Sequence, residues 1–389
     1  MNGILQGTIG ILPPGALGVG FFYHLTRKLA QIDGSVFFVE RDGSSSAAML
    51  RSMGELLIGD ETGLHRQPLA PILKPELSRC QAAACLPEVL LICPNPDQLL
   101  PLLTPCVSLL ERASETGTLD PAALPLPLLV LCSNGIYFQR IRQVFLEKLE
   151  ESTLLGRLPD LWPDLMPSIV GRLLRGVSLQ TALRDGDGSG AVYRPGPSGP
   201  TRLAGGDLAS RCRAHELLAG RGGLFEIAET ASPTRTEFDK AMVNLAANLL
   251  GQLAAIDEDG RFSPLALREI LSRIGESAVR DLVRRVVEIG RAVRAYGPKE
   301  DIAGIGDTVF QNLQRHGEHV PSSLQWLSLR LKRREAITDL SPTELWLLDP
   351  LMYYARSAGL NEALNYFESL RSRLREKLAR ASERAARST

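Results

Sequence analysis

The chain has 389 residues, 44% hydrophobic and 23% charged, a globular balance that excludes disorder over most of its length. At about 100–200 residues per domain, that length predicts two domains, with three as an upper limit. Lys plus Arg and Asp plus Glu each number 44, so the formal net charge is zero, which argues against a dedicated nucleic-acid or membrane-surface protein.

No apolar run approaches the roughly 18–20 residues of a membrane span, and no basic segment precedes the first apolar run as in a signal peptide. The expectation is a cytoplasmic protein without membrane or nucleic-acid partners. The six cysteines (80, 85, 93, 106, 132 and 212) include no CxxC pair, and the five histidines are scattered. Reduced thiols and no metal site follow, since zinc needs three or four convergent ligands.

In chain order, residues 8–12 form a short apolar run ending in Pro13-Pro14-Gly15, and 19–31 have apolar residues at helical spacing. Further strand-like runs are 35–39, ending in Glu40-Arg41, then 89–92, ending in Cys93-Pro94-Asn95-Pro96, and 126–131, ending in Cys132-Ser133-Asn134-Gly135. Apolar runs without polar alternation suit parallel strands buried on both faces, with helical crossovers between them. Residues 184–206 are rich in Gly, Pro and Asp, and the β-like stretch 191–194 within them predicts a hairpin that closes the sheet in preference to a linker. From 207 onward nearly every segment has helical period, and the tail 371–387 reads as a solvated basic helix end. The predicted boundary therefore separates an α/β domain, 1–206, from an all-α domain, 207–389.

The loop Pro13-Pro14-Gly15-Ala16-Leu17-Gly18 lies between a strand and a helix, where α/β domains bind pyrophosphate on orphan N–H groups at the positive helix end. Gly15 and Gly18 fit the second and third glycines of G-x-G-x-x-G, while Pro13 replaces the first. A plain strand-to-helix turn is the competing account. After the next strand, Glu40 could accept from a ribose 2′-OH and Arg41 could pair with a 2′-phosphate, which leaves NAD and NADP both open.

Lys240, Asn244 and Asn248 are spaced i, i+4, i+8, which puts them on one face of a helix. Asn is a poor helix former, so two of them amid Ala and Leu suggest a polar site. A solvent-facing stripe is the alternative.

Taken together, these features resemble the ketopantoate reductase family. Its G-x-G-A-[LI]-G loop is similar to residues 13–18, its strand running into Asn-Gly to Ser133-Asn134-Gly135, and its Gly-rich hairpin to 184–206. Its K-x-x-x-N-x-x-x-N helix matches Lys240, Asn244 and Asn248. Its S-x-L-Q and T-E segments are similar to Ser322-Ser323-Leu324-Gln325 and Pro342-Thr343-Glu344. The resemblance implies a Rossmann-type N-terminal domain and an all-helical C-terminal domain, the 6-phosphogluconate-dehydrogenase-like architecture. It also implies reduction of a small 2-oxo acid by NADP, with NAD open as well, and leaves a homodimer open.

Lys240 would then be the general acid and carbonyl polariser, with Glu344 tuning the proton transfer. Asn244, Asn248 and Ser322 would bind substrate. Gly15, Ala16, Leu17, Gly18, Arg41 and Asn134 would bind the dinucleotide. The sequence departs from the family at Pro13, at the lysine-free stretch 93–97 and at Asp349-Pro350. These departures imply a divergent member. The rival readings are a non-catalytic nucleotide- or partner-binding protein and a dehydrogenase of another hydroxy or oxo acid.

Overall fold

The computed structural model describes residues 7–27, 35–41, 45–115, 117, 119–186, 190–219, 224–230 and 232–387. They fall into two compact units, one formed by Met1–Asn134 and Phe138–Pro233, the other by Gly135–Tyr137 and Thr234–Thr389.

The first unit contains β1 (Ile9–Leu12), α1 (Ala16–Thr26), β2 (Val36–Val39), α2 (Ser45–Met53), β3 (Glu55–Asp60), β4 (Gly63–Pro68), β5 (Leu73–Lys74), α3 (Leu77–Ala82), β6 (Val89–Ile92), α4 (Leu100–Glu115) and β7 (Leu128–Leu131). It continues with α5 (Phe138–Glu151), α6 (Leu154–Arg157), α7 (Trp162–Gly171), β8 (Leu173–Ser178), β9 (Ala182–Asp185), β10 (Val192–Pro195), β11 (Thr201–Gly205), α8 (Leu208–Ala219) and β12 (Phe225–Ile227).

Eight strands form the main sheet in the order β12-β11-β8-β7-β6-β1-β2-β5. From β5 to β8 this is the doubly wound order 3-2-1-4-5-6, and all of those pairs are parallel. β1, β2, β6 and β7 are buried on both faces, as expected of continuous apolar runs between helical layers. The order reverses at β1, where Ile9 pairs with Val36 on one side and Val89 on the other. The loops after β1 and β6 thus flank the switch point at which such sheets bind ligands.

A second sheet, β4-β3-β10-β9, corrects the expected role of the hairpin. β9 and β10 do form an antiparallel pair, but β10 joins β3 rather than closing the main sheet. This small sheet covers the outer side of α1, where Tyr193 donates to the Pro14 carbonyl and Tyr23 to Asp60. Covered on both sides, α1 buries Val19, Gly20, Phe21, Phe22, His24 and Leu25. The Gly-Pro segment after β10 leads directly into β11 of the main sheet.

The boundary expected at 206/207 also shifts. α8 has helical period, but it is a crossover helix that delivers β12 to pair in parallel with β11, so the first unit extends to Pro233.

The second unit is helical: α9 (Pro233–Asn244), a π-helical turn (Leu245–Leu249), α10 (Leu250–Ala255), α11 (Leu267–Ala292), α12 (Ile302–Arg315), α13 (Ser322–Lys332), α14 (Pro342–Ser357) and α15 (Asn361–Arg387). The tail is more than a solvated end, because α15 buries Phe367, Leu370, Leu374, Leu378 and Ala381 at helical spacing. On its flank, the Lys377 ammonium donates to the Leu253 and Ile256 carbonyls that end α10.

Among the described residues no helix is long and apolar enough to cross a membrane, and no cluster of His, Cys, Asp and Glu is placed to hold a metal.

Candidate functional site

The loop after β1 turns tightly, with the Gly15 N–H donating to the Pro13 carbonyl at 2.8 Å. Pro13 thus supplies the acceptor for a turn that the family resemblance assigns to a glycine. Gly15 is the residue before α1, and the N–H groups of Ala16, Leu17 and Gly18 in the first turn have no acceptor within the helix.

The two glycines differ in kind. A Cβ on Gly18 would lie 2.4 Å from the Pro13 carbonyl oxygen and 3.0 Å from Ile11, so the packing of helix on strand itself excludes a side chain. A Cβ on Gly15 would meet nothing within 4 Å, and its φ of −88° suits any residue. The protein's own packing leaves that space open, beside a half-exposed helix N-terminus. The arrangement fits a phosphate group resting on the first turn, against both the N–H donors and the dipole.

At the end of β2, Glu40 is buried, and its carboxylate accepts from Arg51 Nη1 of α2 at 2.7 Å. Arg41, next in the chain, is half-buried.

The loops after β6 and β7 are joined, because the buried Ser133 hydroxyl donates to the Pro94 carbonyl at 2.6 Å. Arg175 of β8, 1% exposed, inserts its guanidinium beneath them and donates to the carbonyls of Leu131, Ser133 and Gly176 at 2.6–2.9 Å. A buried charge needs such partners, and here they set the backbone that carries the half-buried Asn134. Burial and the neighbouring Cys132 thiol push the Cys93 thiol well up, so it stays protonated. Sequence reasoning missed Arg175. Its signal was one arginine inside the apolar run of β8.

In the helical unit, Lys240 and Asn244 are half-buried on α9. The α-helical stripe expected through Asn248 is interrupted, because Asn248 sits in the π turn. That wider turn gathers a buried polar group. The Ser323 hydroxyl donates to the Asn248 side-chain oxygen at 3.0 Å, and Gln252 donates to the Asn248 carbonyl at 3.3 Å. Ser323 takes this place, while Ser322, the residue singled out from sequence, is exposed at the start of α13. The signal was available: Ser323 shares the apolar face of Leu324 and Leu327, and Ser322 does not.

Glu344 is 1% exposed and stands three residues after Ser341, the N-cap of α14. The Ser341 hydroxyl makes a short bond to the Glu344 carboxyl and also accepts from the Glu344 N–H, an arrangement of the capping-box kind. Burial pushes the Glu344 carboxyl up to about 7, against hydrogen bonds from the Glu344 and Ser341 backbone and from Gln252, which pull it down.

α9 is fixed at its start by Arg235, which bonds Asp239 and Glu300 and lies 4.2 Å over the Tyr296 ring. The Tyr296 hydroxyl donates to Asp239 at 2.9 Å. Gly135, Ile136 and Tyr137 also belong to this unit. The Ile136 N–H donates to the Trp346 carbonyl and the Tyr137 N–H to Glu237. Gly135 has φ +126°, and a Cβ there would press on Trp346 at 3.0 Å.

A doubly wound sheet of this order followed by an all-helical unit defines a two-domain α/β plus all-α fold. No protein-family model matches the sequence, and no curated protein matches it. Solved structures do. The chain is similar to a D-mandelate dehydrogenase determined with NADH and anilino(oxo)acetate, at 16% identity and TM-score 0.62, over 95% of this chain and 98% of that one. It is similar to the 2-dehydropantoate 2-reductase of Methylococcus capsulatus at 17% identity and TM-score 0.56, over 98% of each chain. It is also similar to the dimeric ketopantoate reductase of Staphylococcus aureus at 14% identity and TM-score 0.54, over 95% of this chain and 98% of that one. The chain shares the fold of these ketopantoate reductase structures.

Proposed function

We propose that the protein is an NADP-dependent reductase of a small 2-oxo acid, with ketopantoate as the first candidate substrate. The observation that carries this reading is the contrast between Gly15 and Gly18. One is required by packing; the other leaves space at a helix N-terminus beside the switch point of the sheet. Gly15, Ala16, Leu17 and Gly18 would hold the pyrophosphate, Arg41 would lie toward the adenosine end, and Asn134 toward the nicotinamide.

A bound dihydronicotinamide supplies a hydride. The Lys240 ammonium would stabilise the negative charge developing on the substrate carbonyl oxygen and then protonate it. Asn244 and Asn248 would donate hydrogen bonds to the substrate oxygens, the Asn248 side chain being oriented by Ser323. Ser322, exposed at the start of α13, would meet the substrate carboxylate, while Ser323 would act through Asn248. Glu344, raised to about 7, would hold a proton near neutrality and tune the transfer. The D-mandelate dehydrogenase neighbour supports a second substrate class, 2-oxo acids with an aromatic side chain.

The test is calorimetric titration with NADPH and NADH, followed by a panel of ketopantoate, phenylglyoxylate and other 2-oxo acids monitored by dinucleotide absorbance. Micromolar dinucleotide binding and turnover of one panel member are expected. Lys240→Ala should lower kcat about 10²–10⁴-fold, the range for a lost general acid, with dinucleotide affinity unchanged. Absence of binding below about millimolar would overturn the reading and favour a scaffold that acts through partners.

A further inference from the structure

The end of β2 carries an acid and two guanidinium groups whose arrangement bears on which dinucleotide the protein selects, an inference that rests on the dinucleotide reading above. Glu40 occupies the position from which a doubly wound domain accepts the 2′-hydroxyl of an NAD ribose. Its carboxylate is not exposed for that task. The side chain is 8% exposed, its backbone N–H is held by the Lys74 carbonyl of β5, and its Oε2 accepts from Arg51. Arg51, on α2, is 58% exposed, so its guanidinium bonds Glu40 through Nη1 and presents its remaining donors to solvent. With Arg41 next in the chain, Glu40, Arg41 and Arg51 sum to one positive charge; without Arg51 they sum to zero.

We propose that Arg51 sets the dinucleotide preference toward NADP: it withdraws the Glu40 carboxylate from a 2′-hydroxyl and, together with Arg41, offers a guanidinium to a 2′-phosphate. A planar fork suits both tasks, since one edge can hold a carboxylate while the other meets phosphate oxygens. An exposed ion pair would carry little weight in such an argument, but this one disposes of a buried carboxylate that must have a partner.

The experiment is equilibrium titration of the full chain with NADPH and NADH, in the wild type and in the Arg51→Ala, Arg51→Lys and Glu40→Gln variants, with melting temperatures to check folding. The wild type is expected to bind NADPH at least tenfold more tightly than NADH. Arg51→Ala should weaken NADPH at least tenfold, and it should leave NADH unchanged or tighter as Glu40 is released. Arg51→Lys should lose part of the preference. Glu40→Gln, which leaves Arg51 in place, should keep or strengthen NADPH binding, and it preserves the test if Arg51→Ala does not fold. Wild-type preference for NADH overturns the assignment, as does a preference unmoved by Arg51→Ala or reversed by Glu40→Gln. If neither dinucleotide binds the wild type, the dinucleotide reading itself falls, a result distinct from binding without preference.

Discussion

Gly15 and Gly18 stand three residues apart on one loop, and substitution separates what each is for. Gly18→Ala drives a methyl group into the Pro13 carbonyl and is expected to destabilise the first unit by about 1–3 kcal/mol, as overpacking does. Gly15→Ala adds a methyl to open space at an ordinary φ, so its melting temperature should equal that of the wild type while dinucleotide affinity falls at least tenfold. Thermal melts and titration of both variants check this, and a Gly15→Ala protein that binds normally would remove the argument from the loop. At this scale the sequence was legible where spacing alone decides, as in the placing of Gly15 and Gly18 at the start of α1 and of Lys240 and Asn244 on one helix. It was not legible where a single residue of register matters. Ser322 and Ser323 are identical in type, and only the direction of α13 against its core separates them. Arg175 escaped notice because a charge in a buried strand gains meaning only from the three carbonyls around it.

Among the elements, α14 shows how a local signal can carry two meanings. Ser341-Pro342-Thr343-Glu344 is a helix start with Pro in the first turn and an acid at the third position. It is also the segment from which a catalytic carboxyl was expected. The capping role has a pH signature. Because folding raises the Glu344 carboxyl to about 7, the contribution is intact below the ordinary glutamate range, near 4.3. It is lost as pH rises toward 7, a fall of about 3 kcal/mol in order of magnitude. Glu344→Gln keeps the capping geometry without a charge, so its melting temperature should lose that decline between pH 5 and 8. Parallel pH profiles for the two proteins would contradict this account. β1, β2, β6, β7 and nearly all helices of the second unit were predicted from periodicity, since each is long or uniformly apolar. β3, β4, β5, β8, β11 and β12 were not: β4 is almost wholly exposed, β5 and β12 have two and three residues, and Arg175 breaks the apolar run of β8. The π turn was equally hidden, as i+4 spacing does not distinguish it from an α-helix.

For the whole molecule, the two-unit plan and its order along the chain were recognisable from composition and periodicity, while the boundary was not. α8 has the same period as the helices after 233, and only β12, three residues pairing with β11, assigns it to the sheet. On the helical unit, Arg371 and Arg375 of α15 bond Asp349 and Asp339. Each such surface pair contributes little by itself.

The excursion of Gly135–Tyr137 into the helical unit makes that unit discontinuous in the chain. Ile136 is 3% exposed within its core, so Ile136→Ala should cost about 2–4 kcal/mol. The loss should be read as faster amide exchange in α14, some 200 residues downstream by the Ile136–Trp346 bond, and unchanged exchange there would contradict it. A fragment begun at residue 234 lacks this piece altogether. During synthesis Tyr137 leaves the ribosome 100 residues before its acceptor Glu237, a wait of about 5–20 s at ordinary elongation rates. The helical unit is thus completed around a segment made long before the rest of it, which ties the order of assembly to the order of translation.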